Sequence, residues 1–467
     1  MNGKTEQLVK QTDDQMDLLK LIILLISLSG LTSCVTYHPK FLNDDTPKKP
    51  LTALDKDILI QRAAALHQSR LPPLQLDFTK PLTARELAVI AVLVNPDLKA
   101  LRAKEGVAHA QVFDAGLLPD PQFNWSFDHP LHQTSPPTNP LTNAFNLGLS
   151  WDIGALVTRS TKLKIATLHC QQTHYDVAWQ EWLLANQAEL LAIRTYFLQQ
   201  QVYLTRQATT DARLFLQATE RSLQKHDVKI DEYGLRQTAY LDLQDQLQTL
   251  QRTLEKTKLQ LNQVLGLYPA EKIRMNIHPM IVPHLNADEL YDEASEARLD
   301  LIALQVGYAS QEAEIYQAVL GQFPHFNLGI SRARDPGDVN TIGSILSFDI
   351  PLFNRNRGNI AIAYATREQL YQEYNARLHQ TRADIAALVA DLNQIRKAEK
   401  ILKRELPGVR NTERIMRQGL KKGNITQITY QDVRSSLFNK ELKLLMLKQD
   451  AAEQMIALQI ALGKLIE

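Results

Sequence analysis

Two cysteines and twelve histidines are the residues of this sequence best suited to chemistry, and their spacing excludes most of it. Cys34 and Cys170 lie far apart, with no CxxC and no Cys/His ligand spacing, so neither a zinc site nor a dithiol redox pair is encoded. His109, His129, His132 and His169 are scattered. No HExxH, GxSxG or glycine-rich phosphate loop occurs, and no pair of acids stands in a pocket-like context. We therefore expect no enzyme, no metal site and no cofactor. Lys and Arg number 52 against 51 Asp and Glu, without a basic stripe carrying interleaved aromatics, so nucleic acid is not an expected partner. What remains is chemistry done to the chain, and Cys34 is the candidate. Cys170, on a helical stretch, reads as a small core residue.

Cys34 closes the stretch Leu31-Thr32-Ser33-Cys34, directly behind the apolar run Leu21 to Leu28. That run is shorter than the about 20 residues needed to span a bilayer, and it suits a secretory signal preceded by Lys20. The long polar segment before Met16 makes Met16 a second candidate start. Leu31 to Cys34 resembles the lipobox of bacterial lipoproteins, which implies cleavage before Cys34 and its acylation. Val35 stands where an aspartate would mean inner-membrane retention, so outer-membrane sorting is expected. Residues 1–33 are then a signal peptide. Residues 34–82 are a lipid-anchored tether, with Pro39, Pro47 and Pro50 keeping its start extended.

The rest of the chain reads as a duplication. Asn95-Pro96-Asp97-Leu98 is echoed by Arg298-Leu299-Asp300-Leu301, and Pro121-Gln122-Phe123-Asn124 by Pro324-His325-Phe326-Asn327, both at an offset of 203. Ser150-Trp151-Asp152-Ile153 matches Ser347-Phe348-Asp349-Ile350, and Leu261 to Gly266 matches Leu458 to Gly463, both at 197. Residues 83–285 and 286–467 are the two repeats. Each is expected to open with one helix, Thr83 to Leu117 or Asp288 to Leu320, continue through two short strands, and end in a long helical hairpin. Residues 155–225 and 359–406 hold no glycine or proline, and a seventy-residue helix reaches roughly 100 Å. Leu183, Leu190, Leu191, Ile193, Phe197 and Leu198 recur at mixed three-and-four spacing, as in a coiled coil.

The strands near 121–128, 145–153, 324–332 and 342–351 alternate. Phe123, Trp125 and Phe127 interleave with Asn124 and Ser126, and Leu147, Leu149 and Trp151 with Gly148 and Ser150. Phe326, Leu328 and Ile330 follow the same rule, as do Ile342, Leu346 and Phe348, with Ser344 the exception on their face. Small polar partners on the other face suit a water-filled lumen, and the lengths approach the roughly 9 to 11 residues of a tilted transmembrane strand. Four strands cannot close a barrel in lipid, where open edges are not tolerated, so the chain must oligomerise. Two copies give eight strands, three give twelve and four give sixteen. Only the monomer is excluded.

Taken together, the pattern resembles the TolC-like outer-membrane efflux proteins, in their lipoprotein branch, from about residue 85 to the end. Asn95 to Leu98, Gly116 to Pro121, and Phe348-Asp349-Ile350-Pro351-Leu352-Phe353-Asn354 before Arg357-Gly358 carry the resemblance. It implies a mainly α protein with a transmembrane β-barrel. Four strands per chain would enter a shared 12-stranded homotrimeric barrel in the outer membrane, continued into the periplasm by a coiled-coil helical tunnel. The implied partners are a periplasmic adaptor, an inner-membrane pump and outer-membrane lipid, and the duct itself catalyses nothing. An exit duct for type I protein secretion and a metal-ion efflux channel share these features. Glycines and polar residues interrupt the periodicity at two hairpin tips, at an offset of roughly 195. Lys229, Ile230, Tyr233 and Gly234, with Gly423, Asn424, Ile425 and Thr426, are the candidate adaptor contacts. In the family, carboxylates near the tips narrow the tunnel and favour cations. Asp432 is the candidate here, with Asp231 and Asp242 behind it.

Overall fold

The computed structural model describes residues 36–42, 56–66, 71–131, 141–269, 271–277 and 285–466. The chain divides into two units, Met1–Pro50 and Leu51–Glu467. Within the first, residues 36–42 are exposed and without regular structure. Cys34 and the apolar run behind it lie outside the described residues.

The second unit opens with α1 (Lys56–Ala64), α2 (Ala84–Val94) and α3 (Pro96–Gly116). The strands β1 (Gln122–Asp128) and β2 (Ala144–Asp152) follow, then the hairpin α4 (Ile153–Gln224) and α5 (Ile230–Val264). The second repeat runs α6 (Ala287–Ala297), α7 (Leu299–Leu320), β3 (Phe326–Arg334), β4 (Asn340–Phe348), α8 (Arg357–Lys421) and α9 (Gln427–Leu462). Residues 56–66 and 71–82, expected to be tether, are instead packed. Leu59, Leu66, Leu71, Leu76 and Leu82 join the main core with Leu87 and Ile90 of α2, Trp182 and Phe197 of α4, and Ile456 of α9. Five leucines, each worth about 2 kcal/mol when buried, hold such a segment in place.

The opening helix of each repeat is broken, against the expectation of one continuous helix. Pro96 has no N–H and its ring disfavours helical geometry at the residue before it, so Asn95 leaves the helix (φ −51, ψ 126) and caps α3 by accepting from the Leu98 N–H at 3.0 Å. Arg298 occupies the matching joint of the second repeat (φ −69, ψ 122). Asn95 Nδ2 donates to the Val264 carbonyl at 2.9 Å, and Arg298 Nη1 donates to the Ala461 carbonyl at 3.1 Å. Each joint is thus tied to the end of its own repeat's last helix. A side chain at Gly266 or Gly463 would strike that joint, since an added Cβ would lie 3.2 Å from Pro96 Cδ or 3.0 Å from Arg298 Cα. This close approach is what the repeated Leu-to-Gly motif encodes.

All four strands pair antiparallel in the order β1-β2-β3-β4, with Trp125 opposite Leu147, Leu149 opposite Ile330, and Leu328 opposite Leu346. The alternation therefore gathers the apolar residues on one face, and that face is uncovered: Trp125 is 66% exposed and Ile342 85%. β4 stops at Phe348, short of the expected 351, because Pro351 cannot donate to a ladder. Among the described residues, no helix is long and apolar enough to cross a membrane. The hairpin helices are zipped by Leu198, Val202 and Leu254 in one pair and by Ile395, Leu447 and Ala451 in the other. α8 continues through Pro407 to Lys421, beyond the 406 suggested by composition. Pro407 is exposed, so water can satisfy the carbonyl it leaves unpaired.

Candidate functional site

Both hairpins turn one long helix away from the sheet. α4 has 72 residues and α8 has 65, which at 1.5 Å per residue places the turns about 100 Å from the strands. At the first turn, the Asp227 N–H donates back to the Ser222 carbonyl at 2.9 Å, and His226 between them has φ +64. At the second, the Asn424 N–H donates to the Gly419 carbonyl at 2.9 Å, and Gly423 has φ +75. These are the same six-residue closure, a Schellman turn, and 226 to 423 is the 197-residue step of the duplication. Thr426 caps α9 by accepting from the Thr429 N–H at 3.2 Å, whereas Lys229 at the start of α5 offers no side-chain cap.

Just inside the second turn lies a buried polar knot. The Glu413 side chain, 6% exposed, accepts from Arg417 Nη2 at 2.6 Å and from Tyr430 Oη at 2.8 Å. Burial pushes the Glu413 carboxyl up, but the Tyr430 and Arg417 hydrogen bonds and the charges of Arg417 and Arg434 outweigh it and hold it below its usual range. The Tyr430 phenol is driven up by burial and by its bond to Glu413. Its ring stands 6.0 Å from Phe215 of α4, so the knot also leans on the first hairpin. Arg434 of α9 donates twice to Asp211 of α4, at 3.0 and 3.1 Å. A third link, Arg236 to Asp432 at 3.7 Å, joins α5 to α9 on the surface. Between the hairpins a cavity of about 80 Å³ remains, lined by Ala208, Phe215, Leu243 and Phe438 under the Asp211–Arg434 pair.

Residues 290–464 match the family described as "outer membrane efflux protein". The match covers most of the second repeat. The fold of the chain is the TolC-like fold. CusC is 18% identical with a TM-score of 0.66, the match covering 82% of this chain and 92% of that one. The CmeC outer membrane channel of Campylobacter jejuni is 14% identical with a TM-score of 0.67, covering 86% and 91%. The open state of the MtrE outer membrane channel of Neisseria gonorrhoeae is 16% identical with a TM-score of 0.66, covering 82% and 89%. No curated protein matches the chain.

In this chain the expected site residues separate into two groups. Gly423, Asn424, Ile425 and Thr426 form the second turn and its helix start, and Lys229 and Ile230 begin α5 beside the first turn. Tyr233 and Gly234 are not in a turn but one helical turn into α5, because an isolated glycine is tolerated in a helix. Asp432 is 69% exposed and, among the described residues, pairs with Arg236 alone, and Asp231 and Asp242 are exposed on α5. Cys170 is half-buried rather than in the core, its Sγ 3.6 Å from His109 Nδ1 across α3 and α4. Among the described residues no group of three or more ligating side chains gathers. Sequence reading missed Glu413, Arg417, Arg434 and Asp211. The i,i+4 spacing of Glu413 and Arg417 was a readable signal, but nothing local connects Arg434 to a partner more than two hundred residues earlier.

Proposed function

We propose that this protein is the exit duct of a tripartite efflux machine, passively conducting cargo from a periplasmic adaptor and an inner-membrane pump across the outer membrane. The observation that carries the reading is the sheet: four antiparallel strands, apolar on one exposed face, with β1 and β4 as open edges. Such a sheet is stable in lipid only when its edges are closed. Three copies supply twelve strands by pairing the β4 edge of one with the β1 edge of the next, and the family resemblance favours that number. The long hairpins would then line a tunnel whose far end is built from the turns at His226 and Gly423. In this reading the turns meet the adaptor, through Lys229, Ile230, Gly423, Asn424, Ile425 and Thr426. The Arg434–Asp211 link holds one hairpin against the other, so breaking it widens the mouth. Cys34 carries the lipid. The test is purification of the full chain in detergent, mass measurement by light scattering, and recording in planar bilayers. A three-copy particle with stepwise conductance is expected. A monomer that forms no pores would overturn the proposal.

A further inference from the structure

The two turns share a backbone yet carry opposite charge. Residues 414–431 hold Arg414, Arg417, Lys421 and Lys422 and no acid. The equivalent residues 217–234, 197 earlier, hold Arg221, Lys225 and Lys229 against Glu220, Asp227, Asp231 and Glu232. Position by position, Glu220 has become Arg417, Asp227 has become Asn424, Asp231 has become Ile428 and Glu232 has become Thr429. Arg417 is neutralised by Glu413, but Lys421 and Lys422 are exposed and make no ion pair among the described residues. Helix capping accounts for only one of these lysines. Cations favour helix C-termini, and Lys422 stands at the C-cap of α8 as Lys225 does at that of α4. Lys421 matches the neutral Gln224, and capping does not remove acids from the start of the next helix.

We propose that the second turns form an anion-attracting ring at the periplasmic mouth of the duct, so that anionic permeants enter in preference to cations. This rests on the exit-duct reading, which brings several copies of the turn around one axis. Like charges converging there within a Debye length of about 8 Å sum rather than screen. This departs from the expected carboxylate ring: Asp432 lies 3.7 Å from Arg236, and the exposed charges of the second turn that make no ion pair among the described residues are lysines. The experiment is the reversal potential of the purified full-length oligomer in planar bilayers under a potassium chloride gradient. Wild type should pass chloride over potassium by about threefold. Lys421→Glu with Lys422→Glu should invert that preference, and the corresponding glutamine pair should shift it about half as far. Lys225→Glu with Lys229→Glu at the first turn should move it less than the glutamine pair does. A cation-selective wild type, or an unchanged potential in the second-turn variants, would overturn the ring while leaving the duct standing. Absence of any conductance would overturn the duct and the ring with it.

Discussion

At the first tip His226 adopts the left-handed conformation that Gly423 adopts at the second, and each turn closes with the same backbone bond, Asp227 to Ser222 or Asn424 to Gly419. Behind the second turn stands the Glu413–Arg417–Tyr430 knot; the first has Glu220 at the place of Arg417 and no such knot among the described residues. Duplication preserved the turn because its geometry is local. The side chains behind it diverged because each hairpin has different neighbours. Near the tips the two hairpins are pinned to each other by Tyr430 against Phe215 and Arg434 on Asp211.

Glu413→Ala should break this asymmetry most strongly. It leaves the buried Tyr430 hydroxyl and the Arg417 guanidinium without their acceptor, at a cost of about 2 kcal/mol. Amide exchange across residues 413–434 of the full-length protein should quicken roughly thirtyfold, with residues 217–236 unchanged. Equal loosening at both tips would show that the knot serves the whole bundle. The same bond sets a pH dependence. Because the folded Glu413 carboxyl lies below its ordinary 4.5, its contribution is fully present above that pH and is lost as pH falls beneath it. Acid should therefore loosen the second tip first.

Glycine exchange sharpens the comparison at a smaller scale. Gly423→Ala meets no atom within 4 Å, so its cost of about 1 kcal/mol comes from the positive φ alone. Gly234→Ala, also in open space but helical, should instead stabilise the first hairpin by about 0.8 kcal/mol. Opposite signs in denaturant midpoints check the pair. Asp432→Ala should have the least effect, below about 0.5 kcal/mol, since a pair at 3.7 Å with its carboxylate exposed is worth little. A doubling of conductance at low pH would restore Asp432 as the gate.

Much of the architecture was legible along the chain. Period-two alternation located all four strands to within three residues, and the offsets of 203 and 197 matched Asn95 to Arg298 without revealing that each breaks a helix. Gly234 misled because a glycine is a breaker only where the backbone must turn, and α5 runs straight through it. Leu59 to Leu82 misled because prolines nearby suggested an extended tether, while the leucines between them answered to a core built by α2, α4 and α9.

By itself, then, the sequence determined what depends on near neighbours: strand faces, helix length and the glycine turn at 423. Each follows from backbone sterics or from the alternation of side chains within a few residues. Only the tertiary structure decided which charges pair across the hairpins. Arg434 meets Asp211 and Glu413 is buried beneath Tyr430 because the 36-residue α9 is held in register against the far longer α4 and α8 by packed apolar side chains. That register also leaves Lys421 and Lys422 without an ion pair among the described residues at the second turn, while Asp432 lies 3.7 Å from Arg236.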